Sequence, residues 1–337
     1  MMLCDFRSDT VTLPSVEMKQ AMISAPLGDD VLGDEPTVQR LEATIAELLG
    51  KEDALFVPSG TMANQIAIWI QTRKGDAIAV DEKSHIFHYE SGAPALISST
   101  TLKPIAGNSG IMNLDALKSA IPPDDPHFAP VGLVCAEDTA NKGGGTVYPL
   151  ETLDELCDIA HAAGASAHLD GARIFNAQTA SQIDVARRAQ NFDTVSICFS
   201  KGLGAPVGSA LCLPKDLKKY AIRARKALGG GMRQSGILAA AALYAIEHNI
   251  HRLQEDHDNA KLLAKGLKLL GYKTPKPPTN MVYFETPDAP KLSEILKGQN
   301  ILALPVGPTT IRMVTHLDIS TKHVLKTLEV FEKIKTL

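Results

Sequence analysis

Nowhere in these 337 residues is there an apolar run long enough to span a membrane. The longest, from Ile237 to Ile246, falls well short of the roughly 20 residues that a spanning helix needs. The beginning of the chain predicts no secretory signal, because Asp5, Arg7 and Asp9 interrupt it before any apolar stretch develops. Positive charge is not in excess either. Lys and Arg number 34 against 38 Asp and Glu, a formal charge of −4, so nothing electrostatic points to nucleic acid or an anionic membrane. The five cysteines are odd in number and lack metal-type spacing, and Cys135, Cys198 and Cys212 fall in apolar runs. Buried free thiols in a reducing cytoplasm are therefore expected, with no structural metal. The chain has no G-x-x-x-x-G-K-[ST] and no strand-linked G-x-G-x-x-G, which removes the P-loop and nicotinamide dehydrogenase readings. Internal repeats and a low-complexity tail are missing as well.

What is present is alternation. From about residue 53, short apolar runs (ALFVP, AIAVDE, VGLVCAED, SAHLDGAR, TVSICFSKG, GSALCLP) are separated by helical patterns such as TMANQIAIWIQT and PLETLDELCDIAHAAG. Runs of this length, bounded by Gly and Pro, predict an α/β fold with a mainly parallel sheet covered on both faces. Helices are expected over 215–228 and 232–249, broken by Gly229-Gly230-Gly231. A long amphipathic helix over 253–270 then opens a second unit, with a proline-rich stretch at 275–278 and strands in MVYFET, ILALPVG and TIRMVTH. The last helix should face its core with Val324, Leu325, Leu328, Phe331 and Ile334. The reading is a large domain over 1–249 and a small C-terminal α/β domain over 250–337.

The chemistry-bearing residues cluster at strand ends. Asp170 ends one predicted strand and Ser200-Lys201 follows another, the edge of an open α/β sheet where ligands gather. An aldehyde cofactor needs a lysine amine for a Schiff base and a carboxylate to keep its pyridine nitrogen protonated. The competing reading is a turn-capping Asp170 and a solvated Lys201. Ser59-Gly60-Thr61 opens a helix straight after a strand, which suits phosphate and equally suits an ordinary N-cap. His85 lies just beyond AIAVDE, placed to stack on a ring or move a proton, or simply structural. His88 and Glu90 are its neighbours, as supporting partners or as helix surface. Arg173, Arg233 and Arg312 each offer a planar fork for phosphate or carboxylate. Arg312 is the more unusual, since it interrupts a strand pattern.

Together the segments FRSDTVTLP, GDDVLGDEPTVQRLE, FVPSGTMANQ, SHIFHYE, HLDGAR, FSKGLGAPVGS, GGGMRQSG and IRMVTHLD resemble, in order, the low-specificity L-threonine aldolases. These are pyridoxal-phosphate enzymes of fold type I, the aspartate-aminotransferase fold, and the resemblance covers nearly the whole chain. It implies a mainly parallel seven-stranded sheet and pyridoxal 5'-phosphate held as a Schiff base on Lys201. Asp170 would pair with the pyridine nitrogen, and Arg173 would sit beside the ring's phenolic oxygen or the substrate carboxylate. Ser59, Gly60 and Thr61 would hold the phosphate, helped by Arg233, reaching in from a neighbouring subunit. His85 would stack on the ring and serve as the base, and Ser8 and Arg312 would clamp the substrate carboxylate. A homodimer is then the minimum assembly and a homotetramer the usual one. The implied reaction is retro-aldol cleavage of L-threonine, L-allo-threonine and other β-hydroxy-α-amino acids to glycine and an aldehyde. Alternatives on the same cofactor are β-elimination, racemisation and transamination; a non-catalytic cofactor-binding protein lies further off. One departure stands out: the family's E-N-T-H-N is here Glu137-Asp138-Thr139-Ala140-Asn141, and Ala140 cannot move a proton. Either His88 or His127 covers that task, or substrate choice has shifted.

Overall fold

The protein is described by a computed structural model over residues 2–335. Seven strands build the main sheet: β1 (Asp53–Val57), β2 (Ala77–Asp81), β3 (Thr101–Ile105), β4 (Val131–Glu137), β5 (Ser166–Gly171), β6 (Thr194–Cys198) and β7 (Ser209–Leu213). Their order is β1-β7-β6-β5-β4-β2-β3. Only β7 runs antiparallel to its neighbours; the other pairings are parallel, as the apolar runs predict. β2, β6 and β7 are buried along their whole length, which explains their lack of polar alternation.

Strand β3 was not expected. It is an exposed edge strand, TLKPI, and Pro104 is tolerated there because an edge need not donate on its outer side. Two helix boundaries also differ. The 215–228 expectation resolves into a 3-10 turn, Lys215–Leu217, and a helix, Lys218–Ala227. The next helix is Gly236–Asn249, beginning four residues later than its apolar pattern suggests. A Cβ at Gly236 would meet Glu35 Oε1 at 2.3 Å, so the helix starts where it must press against that carboxylate.

Beyond the long helix Leu253–Leu269, three strands form an antiparallel sheet: β8 (Met281–Glu285), β9 (Leu304–Pro305) and β10 (Thr310–Val314), in the order β8-β10-β9. Tyr272, Phe284 and Phe331 meet edge to face beneath it, with centroids 5.3–5.6 Å apart. On the last helix Val324 and Phe331 are buried as expected and Val330 joins them, whereas Leu325 is 49% exposed. Leu325 lies one position around from the buried stripe, which the expected core face drew one residue too wide.

The N-terminal segment belongs to this second core. Cys4 pairs with Ile301, and Phe6 is buried among Val282, Phe284 and Ile311. Val314 donates its amide to Phe6 O at 2.8 Å, and His316 Nε2 donates to Asp5 O at 2.8 Å. These ties hold the following residues, Ser8 to Thr10, against the main sheet. All five cysteines are free and buried, in line with the expectation of inert thiols.

Candidate active site

Strands β1, β2, β4, β5 and β6 point the same way, so their carboxyl ends share one edge. A cavity of about 250 Å³ opens there. Ser59, Gly60 and Thr61 reach it from the end of β1, His85 from β2, and Asp170 and Arg173 from β5. Lys201 arrives from β6, Ser8 from the N-terminal segment and Arg312 from β10. The fold thus gathers nine of the ten residues to which the resemblance gives a cofactor or substrate role. Arg233 is the exception: within the chain it lies outside the cavity, exposed, and pairs with Asp29 at 3.0 Å.

Ser59 is the N-cap of the helix Gly60–Gln71, its Oγ accepting from Met62 N at 3.2 Å. The N-cap reading is therefore correct, and it does not compete with anion binding. The amides of Gly60 and Thr61 have no acceptor among the described residues, so they face the cavity as free donors at the positive end of the helix dipole. Glycine at 60 leaves room that a side chain would take, because a Cβ there would lie 2.7 Å from Cys198 Sγ.

Asp170 is nearly buried. It accepts from Asn64 Nδ2 at 2.9 Å and from Ala172 N at 3.2 Å. Asn64 is itself held from behind, its Oδ1 accepting from Ser196 Oγ at 2.7 Å and from His168 Nε2 at 3.1 Å. Burial pushes His168 down to about 4, so it is a neutral donor at physiological pH. The Asp170 side chain is thus oriented by neutral donors toward the cavity it lines.

Arg173 is buried beside Asp9, with Nε donating at 2.7 Å and Nη2 at 2.6 Å. Burial alone would raise the Asp9 carboxyl, but the guanidinium outweighs it and holds Asp9 down at about 2. Nη1 is the remaining nitrogen of Arg173 with no such bond. Arg312 donates Nη1 to Asn141 Oδ1 at 3.1 Å and Nη2 to the Arg7 carbonyl at 3.2 Å. Its buried Nε has no hydrogen-bond partner among the described residues. Arg312 lines the cavity beside Tyr283, and its planar guanidinium there suits a ligand carboxylate.

Glu137, at the end of β4, accepts from His85 N at 2.8 Å and from Asn141 N at 3.0 Å. Burial and the nearby Asp170 charge push it up to about 7. For His85, burial disfavours the charged ring, yet the hydrogen bond from Nδ1 to Glu90 Oε1 at 3.0 Å and the Asp170 and Glu90 charges prevail and raise its pKa. His85, Glu90 and Asp170 bring their ligating atoms within 4.8 Å of one another. Protein donors already serve both carboxylates, so the trio needs no metal to be satisfied.

Neither proposed stand-in for Ala140 lines the cavity. His88 donates to Glu82 O at 2.7 Å, and His127 is on the surface beside Asp125. Ala140 is buried and bridged to Thr146, and its Cβ lies 2.5 Å from where Gly110 would carry one. The side chain at position 140 faces the 107–112 hairpin rather than the cavity. Asp9, Asn64 and Asn141 escaped the sequence reading. The one available signal was Asn64-Gln65, two polar residues inside an otherwise apolar helical run.

Residues 5–288 match the beta-eliminating lyase family. The chain is 45% identical over 323 residues to the low specificity L-threonine aldolase of Escherichia coli (strain K12), covering 94% of this chain and 95% of that protein. It is 40% identical to the probable low-specificity L-threonine aldolase 2 of Arabidopsis thaliana, covering 98% and 96%. Among solved structures, the Leishmania major threonine aldolase superposes with a TM-score of 0.85 at 21% identity, over 98% of this chain and 99% of that one, a likeness of fold.

Proposed function

Since the chain belongs to the beta-eliminating lyase family and within it to the low-specificity L-threonine aldolases, we propose that it cleaves L-threonine and L-allo-threonine to glycine and acetaldehyde with pyridoxal 5'-phosphate. The observation that carries this reading is the placement of Lys201, Asp170 and the free amides of Gly60 and Thr61 around one cavity. A lysine amine, a buried carboxylate and an anion site are the three groups that the cofactor's aldehyde, pyridine nitrogen and phosphate require. The residues present fit it.

When bound, the protonated pyridine ring supplies an acceptor for the electron pair left by the broken bond. The chain's own residues do the rest. Lys201 would hold the cofactor and, once the substrate is in place, would exchange a proton at the substrate's Cα. Arg312 and Ser8 grip the substrate carboxylate, which fixes rotation about the Cα–N bond and so selects Cα–Cβ for cleavage. Arg173, held rigid by Asp9, lines the same cavity. His85 takes the proton from the β-hydroxyl, directly or through a water.

Among the described residues the amides of Gly60 and Thr61 are the donors at the helix end, and Arg233 of the same chain lies outside the cavity. We assign the phosphate's cation to Arg233 of a neighbouring copy, which makes a homodimer the smallest active unit and accommodates a tetramer. No helix among the described residues is long and apolar enough to cross a membrane, and a cytoplasmic enzyme of amino-acid metabolism fits the free thiols. The test is to reduce the loaded protein with borohydride and map its peptides. The cofactor should be found on Lys201; a different lysine, or none, contradicts the assignment.

A further inference from the structure

We propose that Glu90 and His85 act as a dyad, in which the Glu90 carboxylate fixes the His85 tautomer and sets the basicity of its cavity-side nitrogen. This rests on the reading of His85 as the base in the proposed reaction.

The geometry is specific. Glu90 is fully buried in its side chain, although it follows a short helix that otherwise exposes His88 and Tyr89. Three N–H groups converge on it: Asn64 Nδ2 at 2.8 Å, Gln65 Nε2 at 2.5 Å and His85 Nδ1 at 3.0 Å. A carboxylate can only accept, so His85 must carry its proton on Nδ1. Nε2 is then the free lone pair of a ring that lines the cavity and stays 30% exposed. Asn64 donates to Glu90 and Asp170 together, so one amide registers the base against the group that faces the cofactor nitrogen.

Glu90 and Asp170 favour the imidazolium and Lys201 opposes it. Glu137 binds the His85 backbone amide, and the Tyr89 ring lies 5.5 Å from the imidazole with Lys142 on its outer side. Around Glu90 itself are the amides of Asn64 and Gln65 and the buried thiol of Cys135. Glu90 does not line the cavity and acts through His85, as a positioning residue.

The test compares wild type with Glu90→Gln, Glu90→Asp and His85→Asn in the cofactor-loaded protein. Histidine-labelled NMR, with the His85 signal assigned by its loss in His85→Asn, should show the ring titrating at lower pH in Glu90→Gln and regaining most of its basicity in Glu90→Asp. Glu90→Gln should lower kcat about tenfold or more and move the acid limb of the kcat profile downward. In the His85→Asn background the Glu90→Gln change should cost little further. An unmoved His85 titration in a Glu90→Gln protein that still binds cofactor overturns the dyad. An acid limb that survives in His85→Asn instead overturns the choice of His85 as base, and the NMR result separates the two.

Discussion

Arg173 is clamped by Asp9 through two parallel hydrogen bonds, 2.7 and 2.6 Å, across 164 residues of sequence. Neither side chain meets much solvent. The pairing converts a flexible arginine into a fixed donor on the cavity floor and ties the N-terminal segment to the end of β5. It also has a pH signature. Asp9 titrates at about 2 in the folded protein against an ordinary 3.8, so its contribution to stability is present above pH 4 and lost as pH falls from 4 toward 2. The shift corresponds to about 2 kcal/mol. Asp9→Asn should therefore be less stable than wild type at neutral pH, by about 3 kcal/mol or more because a buried charge loses its partner. Urea titrations should show the gap narrowing below pH 4; a gap independent of pH would contradict the role.

Arg312→Ala is expected to weaken amino-acid binding while cofactor binding persists. A charged hydrogen-bonding group contributes about 1.5–3 kcal/mol, so KM should rise roughly tenfold to a hundredfold. Steady-state kinetics with the cofactor absorbance recorded in parallel decides it, and loss of the cofactor would show that Arg312 serves another group.

At Gly60, the added methyl of alanine meets Cys198 Sγ at 2.7 Å. Overpacking of this kind costs about 1–3 kcal/mol and here falls on the phosphate site, so cofactor affinity should drop roughly tenfold. Cys198→Ala removes the obstructing atom and should restore much of the affinity in the double variant. Equal cofactor titrations for wild type and Gly60→Ala would place the phosphate elsewhere.

Lys201→Ala should abolish turnover and the visible absorption of the lysine-bound cofactor, while the protein keeps its fold. A variant retaining either signal removes Lys201 from its assigned place.

The parts of the fold legible in the sequence are those governed by local pattern. Buried parallel strands read as apolar runs, and chain position puts Asp170 at the end of its strand and His85 and Lys201 just past theirs, at the edge where ligands gather; their roles came from the family resemblance. Edge strand β3 was not legible, since TLKPI carries neither an apolar run nor alternation. Leu325 was misplaced by a stripe drawn one residue too wide. The supporting residues failed for another reason. Asn64 meets Asp170 and His168 across more than 100 residues, and Asp9 meets Arg173 from the far end of the chain. No local pattern carries such pairings. Asp138 is similar: where the family has Asn, this chain has a fully buried Asp whose charge is answered by the equally buried Arg188, which no spacing announces.

The most direct measurement is aldehyde release by the purified, cofactor-loaded protein given L-threonine and L-allo-threonine separately. With position 140 turned toward the 107–112 hairpin and no second imidazole in the cavity among the described residues, little remains to distinguish the two β-hydroxyl configurations. Acetaldehyde and glycine should appear from both isomers at rates within about tenfold of each other, a difference of about 1.4 kcal/mol between transition states. No aldehyde from either, with the cofactor demonstrably bound, would contradict retro-aldol cleavage as the activity of this site.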